Sequence, residues 1–392
     1  MHPVRPRVLL VGAFERDNFG DLLFHLVTRT VLEASGFEVD AASVISAEVP
    51  AVPNYPVLRM HDALRTRAYV AVWVVGGEVG GVRVADALGM SLPEGERQAL
   101  VGAEPGAQEI VMNFASGMSP DDPAYLPDLN RYPLNSGATL VVHSVGVSNL
   151  ARGLSPQALA PSLRILSSAA HLTVRDQDSL DFLAREGVDA VLTPDVIHSL
   201  PRIDGWRLGD LARSAGEPAV VLHINEEQLS EVGLGRVTEL IAELARATRK
   251  PIRLFAAGIT HGHDNVAAYE GIVARLAREH PEVVCDTVTA RYPRQLVAEV
   301  AHAAIWIGTS LHGRIIAEAY GVPRLSLRND KVARYAQTWD DQFPADVALP
   351  AMPALAGEWL SRGRDADPAP RRAELAYRRL LDVISSLEKE PR

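Results

Sequence analysis

The chain is 392 residues long, 47% hydrophobic and 22% charged, a globular composition with room for two or three domains that each bury a core. Its formal charge of −10 argues against non-specific tracking of nucleic-acid phosphates, and its one cysteine, Cys285, excludes an intrachain disulfide. No stretch reaches the ~20 apolar residues of a membrane span and the N-terminus lacks a signal-peptide pattern, so a soluble, cytoplasmic protein is expected.

The first half alternates short strands with helices. Strands are expected at 7–13 (RVLLVGA), 38–44, 69–77 (YVAVWVVGG), 138–146 (ATLVVHSVG), 172–176 (LTVRD) and 190–195, with helices at 22–36 and 178–187. The continuous apolar runs are those of strands covered on both faces. The stretch 79–137 is rich in Gly, Pro and Asp, lacks a clear period, and reads as a long loop, functional or mobile. Residues 205–217 look like the passage between domains. A second alternation follows, with strands at 219–225, 251–258, 283–288, 305–310 and 323–327 and helices at 235–248, 265–280, 293–304 and 312–321. A Pro-rich linker then leads to a last helix at 370–389. The expected division is 1–204, 205–350, and a linker with a C-terminal helix over 351–392. Two such series imply two parallel, doubly wound α/β sheets. Ligands then sit beyond the carboxyl ends of the strands, and the cleft between the domains is the default site.

The strongest local motif is GTSLHGRIIAEAYGVP (308–323), between a buried strand and a helix. Thr309 or Ser310 can cap the helix, leaving its free N–H groups and dipole as an anion site. His312 falls in the first turn and is read as an exposed group that can hydrogen-bond a phosphate or move a proton near neutral pH. Gly313 and Arg314 follow it. The plain alternative is an ordinary capped junction. Three of the 39 Lys and Arg residues are lysines (Lys250, Lys331 and Lys389), so a lysine inside a motif stands out. Lys331, after Asp330 and just past a strand end, suits a carboxylate or phosphate, or else is a surface lysine at a helix start.

In FERDNFGDLLF (14–24), Asn18, Gly20 and Asp21 form a polar turn that also caps a helix, and the glycines of a dinucleotide fingerprint are absent. Gly76 and Gly77 end the third strand. Arg175 ends another, where a guanidinium fork can grip a carboxylate or phosphate. Asp195 lies beyond the next. GITHGHDN (258–265) places His261, His263 and Asp264 in one loop, better suited to contacting a polar substrate than to holding a metal, because the rest of a ligand set is missing. There is no P-loop and no nucleophile elbow.

Taken in order, Asn18-x-Gly20-Asp21, VVGG (74–77), VRDxxS (174–179), PD (194–195), SLHG (310–313), GVP (321–323) and Asp330-Lys331 resemble the polysaccharide pyruvyl transferase family. The resemblance implies a GT-B-like fold of two facing Rossmann-like domains; the last helix, after its Pro-rich linker, is expected to pack back across them. The first domain is then the acceptor side and the second the phosphate and donor side. It also implies transfer of pyruvate from phosphoenolpyruvate to the hydroxyls of a sugar-containing acceptor, forming a ketal without a cofactor or metal. At matching positions it implicates Arg175, His312 and Lys331 in donor binding or catalysis. One position departs: many members have arginine two residues before the histidine, where this chain has Ser310, and Arg314 is the nearest replacement charge. A nucleotide-sugar glycosyltransferase shares the fold, but no acidic ribose-binding residue follows GTSLHGR. A non-catalytic glycan-binding member is the remaining alternative.

Overall fold

The structure, a computed structural model, describes residues 5–16, 18–53, 55–92, 94–147, 150, 156–212, 216–258, 264–362 and 369–389. The chain divides into two compact units. The first comprises Met1–Asp17, Asp21–Val196 and Leu375–Arg392; the second comprises Asn18–Gly20 and Ile197–Glu374.

The first unit is built on β1 (Arg7–Val11), α1 (Phe19–Ala34), β2 (Glu38–Ser43), β3 (Val57–Arg59), α2 (Met60–Thr66), β4 (Ala71–Val75), α3 (Val84–Ser91), α4 (Glu94–Val101) and α5 (Pro105–Ser116). It continues through β5 (Thr139–Val145), α6 (Pro156–Ser168), β6 (His171–Val174), α7 (Gln177–Arg185) and β7 (Val191–Leu192). The seven strands lie in the order β3-β2-β1-β4-β5-β6-β7, and every named pair is parallel. Every residue of β4 and β5 is buried, as expected of runs without polar alternation.

The expected loop at 79–137 is instead largely helical. α3 buries Val84, Ala87 and Leu88, whereas α5 leaves Ile110, Val111 and Phe114 exposed. Apolar residues that face solvent erase the period on which a helix is recognised.

The second unit holds β8 (Val220–His223), α8 (Glu226–Val232), α9 (Leu234–Thr248), β9 (Ile252–Leu254), α10 (Val266–Glu279), β10 (Cys285–Thr287), α11 (Pro293–Ala301), β11 (Ile305–Gly308), α12 (Leu311–Ala319), β12 (Arg324–Ser326), α13 (Asp330–Trp339) and α14 (Met352–Arg362). Its five parallel strands run β10-β9-β8-β11-β12. α14 occupies part of the segment read as a linker. Met352 and Ala356 are buried, with Leu355, Trp359 and Leu360 packed beside them, so helical spacing seats this short helix against α9. The last helix, α15 (Ala369–Lys389), carries the chain back into the first unit from Leu375. No helix among the described residues is long and apolar enough to cross a membrane.

Candidate active site

Each sheet has a switch point, between β1 and β4 in one unit and between β8 and β11 in the other. Doubly wound sheets bind ligands beyond the carboxyl ends of the strands at such points.

In the first unit, β4 runs into Gly76 and Gly77, with φ of 61° and 72°. These left-handed conformations suit glycine, and a Cβ on Gly76 would overlap the Phe24 ring. Glu78 follows. Its carboxylate lies against Gly146, just past β5, and 3.5 Å from one Nη of Arg175. Arg175 stands just past β6 and is 1% exposed. Its other Nη donates to the buried Asp195, past β7, at 3.0 Å. Burial opposes the Arg175 charge, but Asp195, Glu78 and Asp176 outweigh it and hold the guanidinium charged.

Ser144, within β5, takes a left-handed φ of 57° where the register with β6 shifts. Its N–H donates to Thr173 Oγ1 at 2.7 Å, and its Oγ accepts from the Val196 N–H at 3.0 Å. The strained turn is thereby tied to the segment carrying Asp195. Asp21, in the first turn of α1, lies 3.6 Å from Arg16. Behind them, the buried Glu15 carboxylate accepts from Tyr125 Oη at 2.8 Å, Ser91 Oγ at 2.9 Å and Ser43 Oγ.

In the second unit, the segment Asn18–Gly20 pairs with the chain leaving β9. Asn18 bridges Gly258, and the Phe19 N–H donates to the Ala257 carbonyl at 3.1 Å. Asn18 Oδ1 accepts from the Gly20 N–H at 3.0 Å. Gly20 lies directly against the His312 imidazole, which a Cβ there would overlap. His312, expected to be exposed, is 8% exposed because its ring is seated on this glycine. Ser310 is the N-cap of α12, its Oγ accepting from the Gly313 N–H at 3.3 Å. Gly313 itself admits the Trp306 ring.

Thr309 has a different partner, His223 Nδ1 at 3.0 Å, across the β8/β11 switch point. The far side of that imidazole, Nε2, meets Asp264 at 3.0 Å. Asp264 was expected to touch substrate. Its side chain is instead buried and also accepts from the N–H groups of Ala257 (2.5 Å) and Gly258 (3.1 Å). Burial works against its charge, yet His223 and these N–H groups hold the carboxyl below its usual range.

Arg314, read as a replacement charge, is fully buried. Its fork reaches Ser326 Oγ at 3.0 Å, the Pro344, Asp340 and Phe343 carbonyls at 2.9, 3.0 and 2.9 Å, and the Asp340 carboxylate at 2.8 Å. Helix direction turns it inward, so it braces the fold and does not stand in for a ligand-facing arginine. Lys331 is exposed in the first turn of α13, whose cap is Asn329. His261 and His263 lie outside the described residues.

The motif residues at the two outer ends of this set, Asn18 and Lys331, are also the ends of a match to the family model for polysaccharide pyruvyl transferases, residues 18–331. The chain belongs to the polysaccharide pyruvyl transferase family. No curated protein matches it. Among solved structures, the chain is similar to the UDP-GlcNAc 2-epimerase of Methanocaldococcus jannaschii in complex with UDP-GlcNAc and UDP, at 11% identity and TM-score 0.55, covering 98% of this chain and 100% of that one. It is also similar to the UDP-N-acetylglucosamine 2-epimerase of Rickettsia bellii, at 10% identity and TM-score 0.56, covering 99% and 98%. These likenesses show a GT-B-like fold and nothing of the chemistry.

For this pyruvyl transferase family member, sequence reasoning missed Glu78, His223 and Glu15. Each is a polar residue closing a strand or its following turn, and that position was the available signal.

Proposed function

We propose that this family member transfers the pyruvyl group of phosphoenolpyruvate to two hydroxyls of a sugar-containing acceptor, giving a cyclic ketal. The observation that supports this reading best is the seat of His312: a histidine in the first turn of α12, fixed against Gly20, beside a Ser310-capped helix start. Such a start favours an anion, and an imidazole can move a proton near neutral pH.

The chemistry needs both. One acceptor hydroxyl adds to C2 of the enol while the methylene carbon gains a proton and becomes the methyl group. The second hydroxyl then displaces phosphate from C2, and its proton leaves with the phosphate. His312 serves as the acid–base group. The donor's carboxylate and phosphate call for cations, and Arg175 and Lys331 are the residues assigned to them. The rigid seat on Gly20 limits the ring to one position, as proton transfer at a defined carbon demands. No cofactor or metal is needed to balance these steps.

The test is product formation from phosphoenolpyruvate with a panel of sugar acceptors, run beside thermal shifts with phosphoenolpyruvate and UDP-sugars. Ketal product and a shift with phosphoenolpyruvate support the reading. Stabilisation by UDP-sugars alone, with sugar transfer, replaces it with the glycosyltransferase reading.

A further inference from the structure

Arg175 is held by two carboxylates that are not equivalent. Asp195 is wholly buried and accepts at 3.0 Å. Glu78 retains 15% side-chain exposure and lies at 3.5 Å, the long limit of a hydrogen bond. One pairing is therefore short and buried, and the other is longer and partly exposed. The longer one is also arranged for: a side chain at Gly146 would collide with the Glu78 carboxylate, and the nearest atoms around that position all belong to Glu78. The turns that carry these residues are laced together by backbone bonds, Gly146 N–H to the Gly77 carbonyl at 2.7 Å and Gly80 N–H to the Gly146 carbonyl at 3.1 Å.

We propose that Glu78 is a specificity-determining residue, a partly exposed carboxylate that occupies one Nη of Arg175 and must be displaced by the carboxylate of an incoming ligand. This rests on the reading of Arg175 as a donor-binding residue. A guanidinium shared between two carboxylates attracts a third anion weakly. Exchange of Glu78 for the ligand's carboxylate keeps the charge balance constant and leaves Asp195 in place. A ligand without a carboxylate cannot make this exchange, so Glu78 rejects it by keeping the place filled.

Two variants act on the same contact by different routes. Glu78→Gln removes the charge and keeps the shape. Gly146→Ala leaves the charge and pushes the carboxylate off the arginine. Both are expected to lower KM for phosphoenolpyruvate about tenfold, the scale of one weak charge-assisted hydrogen bond, with a smaller change in kcat. Both should also tighten pyruvate binding in calorimetry, pyruvate being a carboxylate without phosphate. A Glu78 that merely braces Arg175 predicts the reverse, a lower melting temperature and a higher KM in both variants, and that result overturns the proposal. A KM unchanged in both variants, where the parent turns over phosphoenolpyruvate, also overturns it while the proposed function stands. Tighter pyruvate binding in a protein that never turns over phosphoenolpyruvate leaves the exchange intact and removes the proposed function.

Discussion

The two strand edges draw on different sources of positive potential. The first unit places a buried arginine at its edge and surrounds it with carboxylates, Asp195 and Glu78. The second has its buried arginine, Arg314, turned inward to Asp340, and its edge offers a capped helix start and an imidazole. A buried guanidinium is costly unless paired, so the first edge has its charge and its counter-charges built together. A helix terminus carries only partial charge and requires no counter-ion. Removing a side chain is therefore expected to act differently at the two edges: at the first it unbalances the fold, and at the second, on the proposed function, it removes the acid–base group.

The largest expected effect is at the second edge. His312→Ala should lower kcat by about 10²–10⁴-fold, the range of a proton-transfer role, and His312→Gln should recover little because an amide does not move a proton at neutral pH. Because the ring is buried against Gly20, a modest fall in melting temperature accompanies the loss. Full activity in His312→Gln reduces the imidazole to a hydrogen-bond donor and makes the two edges alike.

At the first edge the expected loss is in stability. Arg175→Ala leaves Asp195 buried without its cation, and breaking such a pair costs about 3–5 kcal/mol. Denaturant unfolding measures it. Arg175→Lys should recover part of the loss, since an ammonium keeps the charge but not the fork that spans both carboxylates. An Arg175→Ala variant as stable as the parent means that Asp195 tolerates the loss of its cation, and the contrast between the edges fails.

A smaller effect is expected at Lys331. It is exposed at the start of α13, where Asn329 and not the lysine supplies the cap. Lys331→Ala should therefore leave the melting temperature within a degree or so while raising KM for phosphoenolpyruvate about tenfold, the effect of losing one charged contact. A KM equal to the parent's returns Lys331 to an ordinary surface residue.

How much of this was legible in the sequence follows the same physics. The central strands of both sheets are readable because their residues are buried, leaving runs such as AVWVV and IWIG, whereas the three-residue, half-buried β3 escapes. A cap at Thr309 or Ser310 is readable because capping is local; which of the two supplies it is settled only by His223, which takes Thr309. What escaped depends on partners far along the chain. Nothing near Arg314 tells that Asp340 and the 343–344 carbonyls will enclose it. Nothing near Asp264 tells that His223, 41 residues earlier, will take it out of solvent. The contact of Gly20 with His312 joins two motifs almost three hundred residues apart, each visible alone, their meeting visible only in the fold.

The mildest test concerns histidines that pack instead of reacting. His25 and His143, both in the first unit, are buried, and burial pushes both down to about 3. His25 sits between Phe14 and Tyr55, with ring centroids at 5.3 and 5.8 Å. In the unfolded chain such a group binds a proton near pH 6.5. Between pH 6.5 and 3 the unfolded state therefore holds more protons than the folded one. The contribution to stability is complete above that window and is lost as pH falls through it. From pH 7 to pH 6, the loss is about 0.7 kcal/mol for each histidine. His25→Phe keeps a ring between Phe14 and Tyr55 and removes the titration. Urea unfolding at the two pH values should show the parent losing about 0.7 kcal/mol more than the variant over this interval. An identical loss in both proteins means that His25 takes up its proton without leaving the folded state.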